Sequence, residues 1–269
     1  MAINALQSAA SGLSALNTAL DVTANNLANV NTPGFKGSRV NFQDLLYIEK
    51  AQPGTINSNE DQRPTGLYVG LGVKASGTQL DFTQGAQQQT GRQLDAMIEG
   101  AGFFQVAVED SKGPNGKAYT RAGSLALNSK GELVLANDQG RRLQPVITIP
   151  TTAVQNSVSI SPDGRVTFME PGATDPTEAG QLELATFVNP AGLKQVGENL
   201  YVETGASGNP NLNVPGTNGS GVLMQGYVES SNVNVVEEMV NMIQTQRAYE
   251  INSKAITTSD QMLQRLTQM

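Results

Sequence analysis

Side chains able to do covalent or acid–base chemistry are few in this sequence, and they are not grouped. Cysteine and histidine are absent. That removes the thiol nucleophile, the imidazole base and every metal site built on thiolate or imidazole. The adjacent acids Glu109-Asp110 and Glu237-Glu238 fall at a predicted strand end and a predicted helix start. Solvation explains the first pair and the positive first turn of a helix the second, so neither is assigned as an acid–base pair. Gly70-Leu71-Gly72 and Gly219-Ser220-Gly221 lack the continuation of a dinucleotide fingerprint, and no P-loop sequence occurs; both read as turns. No catalytic, cofactor-binding or metal-ligating residue is assigned. With 24 acidic against 17 basic residues and a net charge of -7, the balance argues against binding a phosphate backbone.

The spacing of apolar residues says more than the reactive groups do. Leu6, Leu13, Leu20 and Leu27 recur every seven residues, the a/d seam of a coiled coil. Asn4 and Gln7 suit a capping box at its start, and Pro33 with Gly34 ends the helix near Asn31. At the other end of the chain Val235, Met242, Tyr249, Ile256 and Leu263 are again seven apart. Asn234 is placed to cap this helix, Glu237 and Glu238 sit in its first turn, and no proline or glycine interrupts it after Val228. Residues 1–30 carry one charged side chain, Asp21. A neutral surface of amides and hydroxyls suits a helix surrounded by protein. No basic n-region opens the chain, which argues against a cleavable signal peptide, and no run of 18 apolar residues is present, so no lipid insertion is expected.

Between these ends the period falls to two. Residues 103–108, 124–127, 132–135 and 158–160 read as strands, separated by turns such as Asn128-Ser129-Lys130-Gly131 and Ser161-Pro162-Asp163-Gly164. The expected class is α+β: long terminal helices forming a coiled coil, with a central antiparallel β-rich domain. The expected division is 1–34 with 231–269 as the helical domain, 35–90 as an extended linker, and 91–230 as the β domain. Residues 51–66 and 205–221 read as loops. The helices could instead pack on the β domain of a monomer.

The string Ala24-Asn25-Asn26-Leu27-Ala28-Asn29-Val30-Asn31-Thr32-Pro33-Gly34-Phe35-Lys36 resembles the signature of the bacterial flagellar rod and hook family. Its marking residues are Asn25, Asn26, Leu27, Asn29, Thr32, Pro33, Gly34 and Phe35. Ser231 to Val235, Gln246 to Ala255 and Gly100 to Val106 resemble the family as well, so the likeness spans the chain. The length and the stretch after Leu46 resemble a distal-rod member, with Tyr47, Pro53, Gly54 and Pro64 marking a rod-type insert over 47–66. The resemblance implies a non-enzymatic subunit without cofactor. It would polymerise with itself into a helical tube whose inner core is the paired terminal helices, and pass torque from motor to hook. Implied partners are the proximal-rod protein, the hook protein, the L- and P-ring proteins, the rod-cap protein and the flagellar type III export apparatus. The implied location is the basal body from the periplasm to the outer membrane. A proximal-rod or hook subunit, a secreted β-rich binding module with dimerising helices, and an enzyme using serine, lysine or carboxylates are the alternatives.

Overall fold

The computed structural model describes residues 2–54, 63–154, 157–172 and 175–267. They form two compact units: Met1–Ala28, Ser38–Leu80 and Asn234–Met269 make unit 1, and Asn29–Gly37 with Asp81–Val233 makes unit 2.

Unit 1 contains both long helices, α1 (Ala2–Ala28) and α2 (Val235–Thr267). At a rise of about 1.5 Å per residue α2 is roughly 50 Å long. Asn234 caps it: its Oδ1 accepts from Val236 N at 3.1 Å, and Glu237 and Glu238 lie in the first turn. The cap expected at the other helix does not form, because α1 already runs from Ala2 and Asn4 is inside it. The helices pack on one another. Asn26 Nδ2 donates to Glu238 Oε1 at 2.8 Å, and Gly12 lies beside Asn252, so the two run antiparallel.

The stretch expected as an extended linker is largely paired backbone. Strand β1 (Ser38–Asp44) pairs with β4 (Val73–Leu80), and β2 (Tyr47–Ala51) with β3 (Leu67–Gly70), both antiparallel. A two-stranded ribbon is marginal alone, and β1 and β4 lean on α1. Ser11 Oγ accepts from Val73 N at 3.3 Å and Ser8 Oγ donates to Gly70 O at 3.4 Å. Residues 38–80 therefore group with the helices, while 29–37 and 81–90 group with the β body.

Unit 2 is antiparallel β throughout the pairs it forms. Its main sheet runs through Lys194–Gly197, Leu200–Val202, Lys117–Thr120, Phe103–Ala107, Leu184–Thr186 and Asn211–Asn213, with Leu143–Gln144 also on Phe103–Ala107. The expected strands are present as Phe103–Ala107, Leu125–Leu127, Leu133–Leu135 and Ser159–Ile160. The loop expected over 205–221 holds one of the sheet's edge strands, Asn211–Asn213. Alternation along the central strand sends Phe104 and Val106 into an aliphatic core with Leu125, Leu133, Leu184 and Leu200. Phe103 faces the other way, edge-on to Phe82, Phe187 and Tyr201. Burial there pushes the Tyr201 phenol up to about 12.

Candidate functional site

The inward face of α1 is not its leucine row. Gly12, Ala15, Thr23 and Asn26 are buried, and Ser8 and Ala19 are half-buried beside them. Leu6, Leu13, Leu20 and Leu27 stand about one residue, roughly 100°, further round and are each half-buried. Small residues let the partner backbone come close, and on α2 the facing positions are longer. Met242, Tyr249, Ile256 and Leu263 are half-buried there, in one row with Thr245, Asn252 and Ser259. Val235, the first of the expected α2 seam, is 39% exposed. Four of the five expected α2 seam positions are thus half-buried on the helix face that holds Asn252, the neighbour of Gly12, and the α1 leucines lie to one side of its buried face.

Most apolar side chains of unit 1 remain in reach of solvent. Among its described residues Ala15 is the only buried apolar one, at 4% exposure. α2 carries a second, outward stripe in Val236, Met239, Val240, Ile243, Ile251 and Met262, with Val236 69% and Ile251 66% exposed. The ribbons add Phe42, Leu46, Tyr47, Ile48, Leu67 and Tyr68. A monomer seldom leaves so many large apolar side chains in water. Among the described residues no helix is long and apolar enough to cross a membrane.

The stretch expected as a rod-type insert is a hairpin at its base. Tyr47 pairs with Gly70 and Glu49 with Tyr68, whose hydroxyl reaches the Glu49 carboxylate at 3.5 Å. Pro53, Gly54 and Pro64 lie beyond the strands, where Gly54 N donates to Arg63 O at 2.9 Å; residues 55–62 lie outside the described residues.

The signature residues divide between the units. In unit 1, Asn26 is buried; its Nδ2 donates to Ser38 O at 2.8 Å and its Oδ1 accepts from Ser38 N at 3.0 Å. Asn25, on the same helix, is exposed but not free of partners, and Leu27 flanks the pair. In unit 2, Asn29 O accepts from Thr32 N at 3.1 Å and Pro33 O from Asn199 Nδ2 at 3.0 Å. Gly34 is in the left-handed region at φ +71, and a Cβ there would lie 2.7 Å from Ala122 N. Only glycine fits that turn. Phe35 is buried beside it.

Beyond Phe35 the structure shows a group that sequence reasoning missed. Lys36 is 0% and Glu229 1% exposed, and they form an ion pair at 2.6 Å. Arg121 NH1 reaches the second Glu229 oxygen at 3.3 Å, and its NH2 donates to Gly100 O at 2.7 Å. One carboxylate thus serves two buried cations. Burial holds the Lys36 ammonium and the Arg121 guanidinium below their usual ranges, against the pull of Glu229. The only sequence signal was a charge directly after an uncharged run, Val22 to Phe35.

Three stretches of the chain match families of flagellar rod and hook proteins. They are residues 6–36 (flagella basal body rod protein), 97–168 (flagellar hook protein FlgE/F/G D1 domain) and 224–269 (flagellar basal body rod FlgEFG protein C-terminal). The flagellar basal-body rod protein FlgG of Buchnera aphidicola subsp. Baizongia pistaciae is 50% identical over 98% of this chain and 99% of its own length. Those of Borreliella burgdorferi and Bacillus subtilis are 46% and 39% identical, over 97% and 99% of this chain and 96% and 99% of their own lengths. The chain belongs to the FlgG family of flagellar basal-body rod proteins, as a structural subunit and not an enzyme.

Proposed function

We propose that this chain builds the distal part of the flagellar rod. Copies would polymerise helically through unit 1, with α1 and α2 lining the tube as a coiled coil and the β body forming its wall. The observation that carries this reading is the apolar surface that unit 1 leaves outside, on α2 and on the β2–β3 hairpin. The relatives' names, basal-body rod protein, support the same setting. In the polymer the seam would comprise Leu6, Leu13, Leu20 and Leu27 with Val235, Met242, Tyr249, Ile256 and Leu263, all half-buried except the exposed Val235, and neighbouring copies would cover their exposed parts. A contact that repeats without closing gives a filament instead of a ring.

The subunit would leave by the flagellar type III export apparatus, without signal-peptide cleavage, and stand between the periplasm and the outer membrane. It would meet the proximal-rod and hook proteins at its ends, the L- and P-ring proteins around it and the rod-cap protein during growth. The 47–66 insert would wedge between neighbours and hold one packing geometry, making the shaft rigid. Electron microscopy of the purified protein tests the reading. Straight tubes are expected, and curved or flexible ones after deletion of residues 47–64. A defined small oligomer would overturn the polymer, and straight tubes from the deletion would overturn the stiffening role.

A further inference from the structure

The chain passes between its two units at residues 28/29, 37/38, 80/81 and 233/234. On the unit 2 side these passages are served by three segments, 29–37, 81–86 and 226–233, and each is bonded to the other two. The first and third are joined by Gly34 N to Glu229 O at 2.7 Å, Gly37 N to Asn232 Oδ1 at 2.8 Å and the Lys36–Glu229 pair. The first and second are joined by Asp81 N to Gly37 O at 2.9 Å and Lys36 Nζ to Thr83 O at 2.7 Å. The second and third are joined by Asn232 Nδ2 to Asp81 O at 2.8 Å, Gly85 N to Glu229 Oε1 at 2.9 Å and Ser230 N to Ala86 O at 2.9 Å. Lys36, Glu229 and Asn232 each contact both of the other segments. Arg121 ties the same Glu229 to the body of the sheet.

From this geometry we infer that the three segments are one cooperative fastening, centred on Glu229 and Asn232, which opens as a whole or not at all. Freeing any one segment leaves a buried charge or amide of the other two without its partner. Lys36 without Glu229 is a buried ammonium with one carbonyl, and Glu229 without Lys36 and Gly85 loses most of its donors. Unpaired buried groups of this kind are strongly disfavoured, so partial opening is suppressed relative to joint opening. For a torque-bearing subunit, a role that rests on the reading above, load entering through any passage would be shared among all of them.

The test is native-state amide exchange on the full-length monomer, which does not depend on polymerisation. The amides to follow are Gly34, Asp81, Gly85 and Ser230, with Gly37 as the one bonded to the Asn232 side chain and Val106 and Ala118 of the main sheet as references. One opening unit predicts that the first four share one exchange free energy and one denaturant slope. Asn232→Ala removes no acceptor of those four amides, yet it should speed all four by a common factor of about ten or more and leave Val106 and Ala118 unmoved. Lys36→Met, made in a different segment, should accelerate the same set. Distinct exchange curves for the four amides in the unaltered protein would overturn the inference, as would acceleration confined to Gly37 in Asn232→Ala. A loss of filaments with the four amides still coupled would count against the rod reading and leave the fastening intact.

Discussion

Unit 2 has a buried apolar core and unit 1 has almost none. In unit 2, Phe104, Val106, Leu125, Leu133 and Leu184 are essentially inaccessible, and the main sheet, which carries Phe104, Val106 and Leu184, presents a second, aromatic face. In unit 1 one face of α2 and both ribbons leave large apolar side chains exposed, the leucines of α1 are only half-buried, and the buried face of α1 is made of glycine, alanine, threonine and asparagine. The first is a domain whose stability is its own. The second has ordered backbone but little dry interior, so burial within the chain contributes little to holding it, and on the proposed reading other copies would supply the rest. The proposed assembly therefore predicts a β body that folds before assembly and helices that fold with it.

The widest test of that contrast is hydrogen exchange in dilute solution. Amides of α1 and α2 should exchange within a few orders of magnitude of unstructured rates. Those of Phe104, Val106 and Ala118 should be protected to the global stability of the β body, on the order of 5–15 kcal/mol. Equal protection in a verified monomer would mean that unit 1 is stable alone, and the comparison would fail. Next in size is Phe104→Ala. Removing this 1%-exposed ring should cost about 3–5 kcal/mol, read as a shift in the denaturant midpoint. A shift below about 1 kcal/mol would show that the core is less well packed than its burial implies.

How far the sequence foretold this differs by unit, for reasons visible in single residues. The β strands were legible because alternation such as Phe103-Phe104-Gln105-Val106 and turns such as Asn128-Ser129-Lys130-Gly131 are local signals. α2 was legible as a helix and in its cap, Asn234. α1 was legible as a helix, but its inward face was not, since a search for large apolar residues finds Leu13 and Leu20 and passes over Gly12, Ala15 and Ala19. Closeness of approach is decided by what is missing from a side chain, and that registers weakly in any apolar pattern. The β2–β3 hairpin went unread because a long connection separates Tyr47–Ala51 from Leu67–Gly70, too far for a turn rule to link them. The Lys36–Glu229 pair joins residues 193 apart, and lysine alone reads as a surface residue. Burial of such a charge is a tertiary event with no local trace.

The comparison is sharpened by substitutions that should separate folding from assembly. Ile243→Asp with Ile251→Asp places charges on the outward stripe of α2, where both residues are half-exposed or more. The melting of the β body should move by less than about 0.5 kcal/mol, while filaments fail to form. Each isoleucine would otherwise contribute about 1.5–3 kcal/mol on burial between copies, and a carboxylate in its place would be buried unpaired. Normal filaments from the double variant would show that this stripe is not an assembly surface.

The smallest expected effect lies on the surface of unit 2, at Glu198. Its Oε2 accepts from Arg141 Nε and NH2 at 3.0 and 2.9 Å, and its Oε1 from Lys112 Nζ at 2.8 Å. These donors hold the carboxyl below its ordinary value of 4.5, the bond from Lys112 first and that from Arg141 second. A carboxyl lowered in the folded state binds fewer protons there than in the unfolded chain. Its contribution is therefore complete above the ordinary carboxylate value and is lost as pH falls toward the lowered one. Because Glu198 is partly exposed, water screens the pair, and the contribution should stay below about 1 kcal/mol. Glu198→Gln should leave the shape of the melting curve near neutral pH unchanged apart from that small offset, and flatten its decline below about pH 4.5. The measurement is melting temperature against pH for both proteins at low and high salt. Parallel acid limbs for the two would show that Glu198 is not among the groups that make the β body acid-sensitive. An offset that persists undiminished at high salt would mean that the two-donor Arg141 contact to Oε2, whose side chain is 7% exposed, acts as a buried tie instead of a screened one.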